Sequence, residues 1–324
     1  MHHVFLTGGS GFFGHHIAAR FLAGNWQVGA LVRASSNTTG LEALGAAIVT
    51  SALDDRPALV KAMQGCDVVV HCAGSTASST ETEYMKINRD GAAAVATAAV
   101  EAGVPRFVLI SSIASHGPSQ DGGDGTDHPI SAYGRSKLAG EHAVKEILGD
   151  SVSLAVLRPP PIYGPGDWAL VPVFKMALKG LMPTYGKNPG RISIVHGEDA
   201  ADAIFRLATT DVPWGPYYPE DGSRPTWPAF AQSFSDALER PVRALPLPRP
   251  LFWIAGAVAS AWGRIARPHP FALDKVREMA APGWVFSSRR LRDATGWEPR
   301  HELVPGLRAT LEWYVKNGWI KLKN

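Results

Sequence analysis

The sequence predicts an α/β fold: a doubly wound parallel sheet with helices on both faces, followed by a smaller, mostly helical second domain. Two observations predict it. Over residues 1–160, short apolar runs alternate with segments whose apolar residues recur at helical spacing, the pattern of strands joined by crossover helices. Beyond that point the alternation gives way to proline- and tryptophan-rich segments such as PPPIYGPGDW and DVPWGPYYPE.

The elements follow in order. Residues 3–7 form a first strand, and residues 11–23 a helix with Phe12, Phe13, Ile17, Ala18, Phe21 and Leu22 at helical spacing. Strands are predicted at 27–32 and 46–50, then a helix at 55–64 with Pro57 near its start, where proline is tolerated. The run DVVVH at 67–71 reads as a buried strand, and 83–102 as one long alanine-rich helix stopped by Gly103 and Pro105. A strand at 106–111, a helix at 131–148 and a strand at 152–157 close the series. Later helices are predicted at 171–179, 199–208, 227–238 and 303–316. The first domain is therefore placed at 1–160, with 191–218 returning to it. The second takes 161–190 and 219–324 and is read as closing over a substrate.

Composition narrows the function. Apolar residues make up 45% and charged residues 19%, ordinary globular usage that argues against disorder. A net charge of +3 gives no reason to invoke nucleic acid. Two cysteines, Cys66 and Cys72, are too few for a disulfide framework, and the first residues carry no secretory-signal layout. The expected location is cytoplasmic. The stretch from Leu251 to Trp262, with Ile265 continuing it, is apolar and bounded by Arg249 and Arg264. It is too short to span a bilayer. It reads as core, as a lid over a hydrophobic substrate, or as a surface in peripheral contact with a membrane.

Thr7-Gly8-Gly9-Ser10-Gly11-Phe12-Phe13-Gly14 lies between the first strand and the first helix. Gly8 permits a tight turn, Gly11 lets the backbone approach a pyrophosphate, and Gly14 lets helix pack on strand, with the helix N-terminus facing the phosphates. The predicted fold is thus of the Rossmann type. An NAD-preferring fold usually ends its second strand with an acid that grips the ribose hydroxyls. Here the strand ends Leu31-Val32-Arg33, and Arg33 with Ser35, Ser36 and Asn37 suits a 2′-phosphate. NADP(H) is favoured, with NAD(H) the alternative.

Tyr133 and Lys137 stand four residues apart, on one face of a helix. A free tyrosine keeps its proton to about pH 10, so a nearby cation is needed to stabilise the phenolate. Ser112, at the end of the fifth strand, is placed to donate to a substrate oxygen while Tyr133 moves the proton.

With these motifs the sequence resembles the extended short-chain dehydrogenases/reductases, in the epimerase/dehydratase group and its 3β-hydroxysteroid-dehydrogenase/dihydroflavonol-reductase-like branch. The glycine spacing matches that family's TGxxGxxG. Further matches are His71-Cys72-Ala73-Gly74, Asn88-Arg-Asp-Gly91, Arg158-Pro-Pro-Pro-Ile-Tyr-Gly-Pro-Gly166, Gly197-Glu-Asp199 and Gly296-Trp297-Glu-Pro299. The resemblance implies that Tyr133 is the acid/base, that Lys137 also binds the nicotinamide ribose, and that Ser112 positions the substrate oxygen. It implies cofactor contacts from Cys72, Ala73, Gly74, Asn88, Ser111, Pro159 and Ile162. Ala52 stands where many members carry an adenine-binding aspartate, and Asp54 or Asp55 is the substitute. A homodimer through the helices at 83–102 and 131–148 is also implied.

Dehydratases of the family follow the serine with an Asp-Glu pair, whereas Ile113 and Ala114 follow Ser112. Sugar-nucleotide enzymes place an asparagine where this chain has Pro161. The reading is an oxidoreductase interconverting a ketone and a secondary alcohol on a bulky hydrophobic substrate (steroid-, terpenoid-, flavonoid- or long-chain keto-like), with His116, Tyr163 and Trp168 as substrate contacts. The alternatives are a sugar-nucleotide epimerase and an NADP(H)-binding protein without catalysis. No histidine pair falls in a metal-ligand pattern, so no metal is expected. The loop Pro118–Pro129 reads as a mobile flap over the site.

Overall fold

The computed structural model describes residues 1–185, 190–263 and 273–322. Seven parallel strands form the central sheet: β1 (His3–Thr7), β2 (Gln27–Val32), β3 (Ala47–Thr50), β4 (Val68–His71), β5 (Arg106–Ile110), β6 (Ser153–Leu157) and β7 (Pro216–Tyr217). Their spatial order is β7-β6-β5-β4-β1-β2-β3, so the winding reverses between β1 and β4. At such a switch point the crossovers leave in opposite directions and open a crevice at the carboxyl edge.

Period-two alternation sets the two faces. Val4, Leu6, Val68, Val70, Val108 and Ile110 form one core with α1 (Phe12–Ala23). Phe5, Val69, Phe107 and Leu109 form the other with α2 (Gly91–Glu101) and α3 (Ala132–Leu148). Each fully buried side chain of this kind contributes roughly 1.5–3 kcal/mol. Beyond β6 the chain comes back to the sheet: α4 (Gly197–Thr209) packs in the same core as α1, and β7 pairs with β6. The second domain has its own core of Phe174, Phe234, Leu307 and Tyr314. It also contributes α5 (Arg249–Gly263) and α6 (Leu273–Ala280).

Two expectations need correction and a third, left open between three readings, is narrowed. The helix expected over 83–102 is divided into a short helix Glu81–Tyr84, a π-helical segment Met85–Asp90, and α2. The inserted segment carries Asn88, whose side chain is bonded outward to Ser75 and Ser136, and such bulges re-aim side chains. The loop Pro118–Pro129 is not a free flap. Ser119–Gly122 pairs in parallel with Trp284–Phe286, and the Arg158 guanidinium holds Asp127 by two hydrogen bonds. The stretch 251–262 is not core on its outer side, although Phe252 is buried; Ile265 and Arg264 lie outside the described residues. Among the described residues, no helix is long and apolar enough to cross a membrane.

Candidate active site

The glycine loop is shaped by its own backbone. Gly8 has a positive φ of 74°, and a Cβ there would stand 2.7 Å from the Ala73 amide nitrogen at the end of β4. A Cβ on Gly14 would be driven into the Gly8 carbonyl oxygen. Gly11 differs, because a Cβ there would meet only that oxygen at 3.4 Å. Its outer face is open. Gly11 is the N-cap of α1 and offers no side chain to the first-turn amides, and the first turn has no acid. The helix start therefore keeps its partial positive charge for an anion.

β4 leads into the same crevice. Ala73 donates its N–H to Thr7 Oγ1 at 3.1 Å, and the same hydroxyl shares a hydrogen bond with His71 Nδ1, 2.8 Å away. Thr7 and His71 are both buried, and burial holds His71 neutral by lowering its pKa to about 3. This fixes the exit of β4. Burial pushes the Cys72 thiol up to about 12, so it is not a thiolate nucleophile. A Cβ on Gly74 would stand 3.0 Å from Asn88 Oδ1 and 3.6 Å from Lys137 Nζ. Asn88 accepts from Ser75 N at 2.8 Å and donates to Ser75 O and to Ser136 Oγ. It ties the turn after β4 to α3.

Ser112 follows β5 by two residues and caps the short helix Ile113–His116, its Oγ accepting from Ala114 N at 3.1 Å. The Ser112 hydroxyl also hydrogen-bonds the Tyr133 phenol. Burial raises the Tyr133 pKa well above its ordinary value; the Ser112 bond opposes this, while the Glu278 carboxylate adds to it. Lys137, expected to lower it, is not among the groups that act on Tyr133, which stands as a neutral phenol. Lys137 donates to the Ile110 carbonyl at 2.6 Å, and burial lowers its pKa to about 8.

Two further groups hold α3 in place, and the sequence did not single them out. The first comes from α6: Asp274 accepts from Ala132 N and Glu278 from the Ser131 hydroxyl, both at 2.8 Å, at the N-terminus of α3. The second is a buried network in which Arg158 bonds Glu141 on α3, Asp127 and the Tyr218 hydroxyl. The Ser111 hydroxyl donates to Glu141.

Comparison with known proteins agrees with this architecture. The family model described as "NAD dependent epimerase/dehydratase family" matches residues 4–215. The chain belongs to that family. It is an NAD(P)-dependent enzyme of the extended short-chain dehydrogenase/reductase type. It is 32% identical over 320 residues to the ceramide reductase of Caulobacter vibrioides, covering 98% of this chain and 96% of that one. It is 32% identical over 176 residues to the 4-hydroxy-2-methyl-3-oxo-4-farnesyl-3,4-dihydroquinoline-1-oxide ketoreductase of Stigmatella aurantiaca, covering 52% of this chain and 53% of that one. Among solved structures, the UDP-glucose-4-epimerase of Stenotrophomonas maltophila superposes with a TM-score of 0.81 at 19% identity, covering 98% and 99% of the two chains. That likeness concerns the fold.

The crevice fits the nicotinamide dinucleotide of an epimerase/dehydratase-family member. The open face of Gly11 and the uncapped start of α1 suit its diphosphate. Lys137, beside Gly74 and Asn88, lies on the wall formed after β4. Arg33 and Ser35 are exposed just past β2, with the Ser36 hydroxyl turned back to Ser10 across 3.4 Å. Asp54 is exposed, whereas Asp55 caps the helix Arg56–Met63 through Ala58 N. Phe12 stacks edge-on against His16, and Phe13 and Ile162 pack against the core beside β1. Pro159 is buried, and its carbonyl accepts from Ile113 N.

The three residues expected to contact substrate are not brought together. Tyr163 is buried in the second domain's core, with Gly306 against its ring. Trp168 is 61% exposed. His116 is buried beside Phe286 and Tyr218, with no partner for Nε2. Sequence reasoning also missed His196, Glu198 and His301, whose potential ligand atoms lie within 4.8 Å of one another. The two imidazoles stack with centroids 4.0 Å apart and planes 19° from parallel, so their in-plane lone pairs do not converge on one ion. His301 is committed to Asp199 at 2.9 Å.

Proposed function

We propose that this chain is an NADPH-dependent reductase that interconverts a ketone and a secondary alcohol on a long-chain, ceramide-like lipid. The observation that carries this reading is the match to the ceramide reductase, which runs through both the sheet domain and the second domain. The second domain is the part read as closing over the substrate, and a likeness confined to the first would say only that a dinucleotide is bound.

The site supports the chemistry. A nicotinamide held in this crevice would supply the hydride for the carbonyl carbon. Tyr133, held as the neutral phenol, gives its proton to the carbonyl oxygen as that carbon is reduced. Ser112 donates its single hydroxyl proton to the same oxygen. Lys137 helps hold the nicotinamide ribose at Gly74 and Asn88. Arg33 reads the 2′-phosphate. Ile113 and Ala114 put no carboxylate beside Ser112 for an elimination. Pro161 offers a sugar nucleotide no side-chain donor, and its carbonyl is already taken by Val195 N.

The test is to follow nicotinamide absorbance with NADPH and a panel of long-chain ketones, using Tyr133→Phe as control. Net NADPH oxidation, lost by about 10²–10⁴-fold in the control, is the expected result. Cofactor binding with no net oxidation of any ketone, together with isomerisation of a sugar nucleotide, would overturn it in favour of an epimerase.

A further inference from the structure

α5 is built the wrong way round for a helix facing water. Its inner face is small: a Cβ on Gly256 would stand 2.7 Å from Val276 of α6, and Phe252 alone inserts deeply, against Tyr185. Its outer face is large and apolar. Leu251, Ile254, Val258 and Trp262 recur at helical spacing and are 51%, 60%, 64% and 65% exposed. A water-facing helix carries charges at such positions, and from Pro250 to Gly263 there is none.

In the sequence the charge flanking α5 is one-signed, the nearest acids on either side being Glu239 and Asp274. From Arg240 to Leu273 the sequence holds five arginines (240, 243, 249, 264 and 267) and no aspartate or glutamate. Arg243 and Arg249 are exposed, and Arg249 lies over the Tyr185 ring at the start of α5. Trp253 Nε1 donates to Tyr185 Oη at 3.0 Å and fixes the helix at the same end. An apolar helix face with exposed arginines at its start complements a bilayer whose headgroups are anionic.

We infer that α5 seats the enzyme on an anionic lipid bilayer, with Leu251, Ile254, Val258 and Trp262 among the acyl chains. The same helix borders a cleft of about 370 Å³, where Ser260 and Leu273 face Tyr84 and Ala132. Tyr84 packs on the Tyr133 ring at 5.9 Å, and Ala132 precedes Tyr133 in α3. The cleft thus lies between α5 and residues adjoining Tyr133, with Glu81, Arg135, Asp274 and Arg277 also in its wall. That it receives a bilayer-borne ketone rests on the reductase reading; the docking does not.

Flotation of the full chain with vesicles tests the docking. Wild type should float with phosphatidylcholine/phosphatidylglycerol vesicles, less with phosphatidylcholine alone and less at high salt. Arg249→Gln should weaken binding about fivefold. Ile254→Glu/Val258→Glu should weaken it at least about 100-fold, while reduction of a short water-soluble ketone stays at the wild-type rate. If that variant fails to fold, Ile254→Ser/Val258→Ser serves in its place. Wild type that ignores both vesicle types, or a double variant that floats as well as wild type, would overturn the inference. So would a wild-type dimer in light scattering that the double variant dissociates, which would assign the face to a second copy of this chain. Flotation needs no turnover, so it stands or falls separately from ketone reduction.

Discussion

Glu278, on the second domain, accepts a hydrogen bond at 2.8 Å from Ser131, the N-cap of the helix that carries Tyr133. Asp274, one turn earlier on α6, accepts from the next amide, Ala132 N. Two carboxylates thus sit at the N-terminus of α3, where the helix dipole favours negative charge. Glu278 also raises the Tyr133 pKa. The helix α6 therefore holds the start of the helix that carries Tyr133 and helps keep its phenol protonated.

Replacing Glu278 separates the two roles. Glu278→Gln keeps an acceptor for Ser131 and removes the charge, so the phenolate becomes easier to form. In the alcohol-oxidising direction, where Tyr133 accepts the proton, the rise of kcat/KM with pH should move to lower pH. Glu278→Ala also frees the start of α3 and should lower kcat/KM about tenfold, as for a lost hydrogen bond to a charged group. An unmoved pH profile in Glu278→Gln would show that its charge does not act on Tyr133.

As the proposed reader of the 2′-phosphate, Arg33 should govern the choice of cofactor. Arg33→Ala should raise the KM for NADPH about 10- to 100-fold, the value of one or two charge-assisted hydrogen bonds. The KM for NADH should stay within twofold or so. Equal effects on the two cofactors would remove Arg33 from that role.

The glycines of the loop should fail in different ways. Gly14→Ala drives a methyl into the Gly8 carbonyl oxygen and should destabilise the fold by about 1–3 kcal/mol, read as a lower Tm. Gly11→Ala meets only a 3.4 Å contact and should leave Tm unchanged, yet raise the cofactor KM by closing the diphosphate approach. Equal Tm losses in both would show that Gly11 is a packing glycine.

What the sequence made legible was local. Val4, Phe5 and Leu6 display their strand by β-type apolar content, and the three glycines declare the turn that follows. Tyr133 and Lys137 declare a shared helix face by their spacing alone. What stayed hidden depends on distant partners. Nothing near Ser131 announces Glu278, and nothing near His196 announces His301. Two-residue β7 is too short to carry a period. The π segment at Met85–Asp90 is set by Asn88 bonding across to Ser75 and Ser136, which helical periodicity does not encode. The polar loop around Ser119–Gly122 looked free because its strand partner, Trp284–Phe286, belongs to the other end of the chain.

Acid stability turns mainly on four buried groups. His71 and His196 stay neutral to about pH 3 in the fold, held there by burial. The unfolded chain protonates each near 6.5, so both destabilise the fold as pH falls below that value. Asp167 and Asp221 act in the opposite sense. Burial raises each to about 6, so the native state takes up their protons before the unfolded chain does near 4. The buried Oδ2 of Asp221 has no hydrogen-bond partner, as suits a neutral carboxyl. Each proton of difference is worth about 1.4 kcal/mol per pH unit. Between about pH 6 and 4.5 the two carboxyls therefore oppose the two imidazoles, and His16, whose pKa burial also lowers, tips the balance to a shallow loss of stability in urea unfolding. Asp221→Asn removes one of the stabilising protons. The variant should then lose about 1.4 kcal/mol more than wild type for each pH unit of acidification in that window. A wild type that itself loses stability steeply from pH 6 would show that the two aspartates are ionised in the fold.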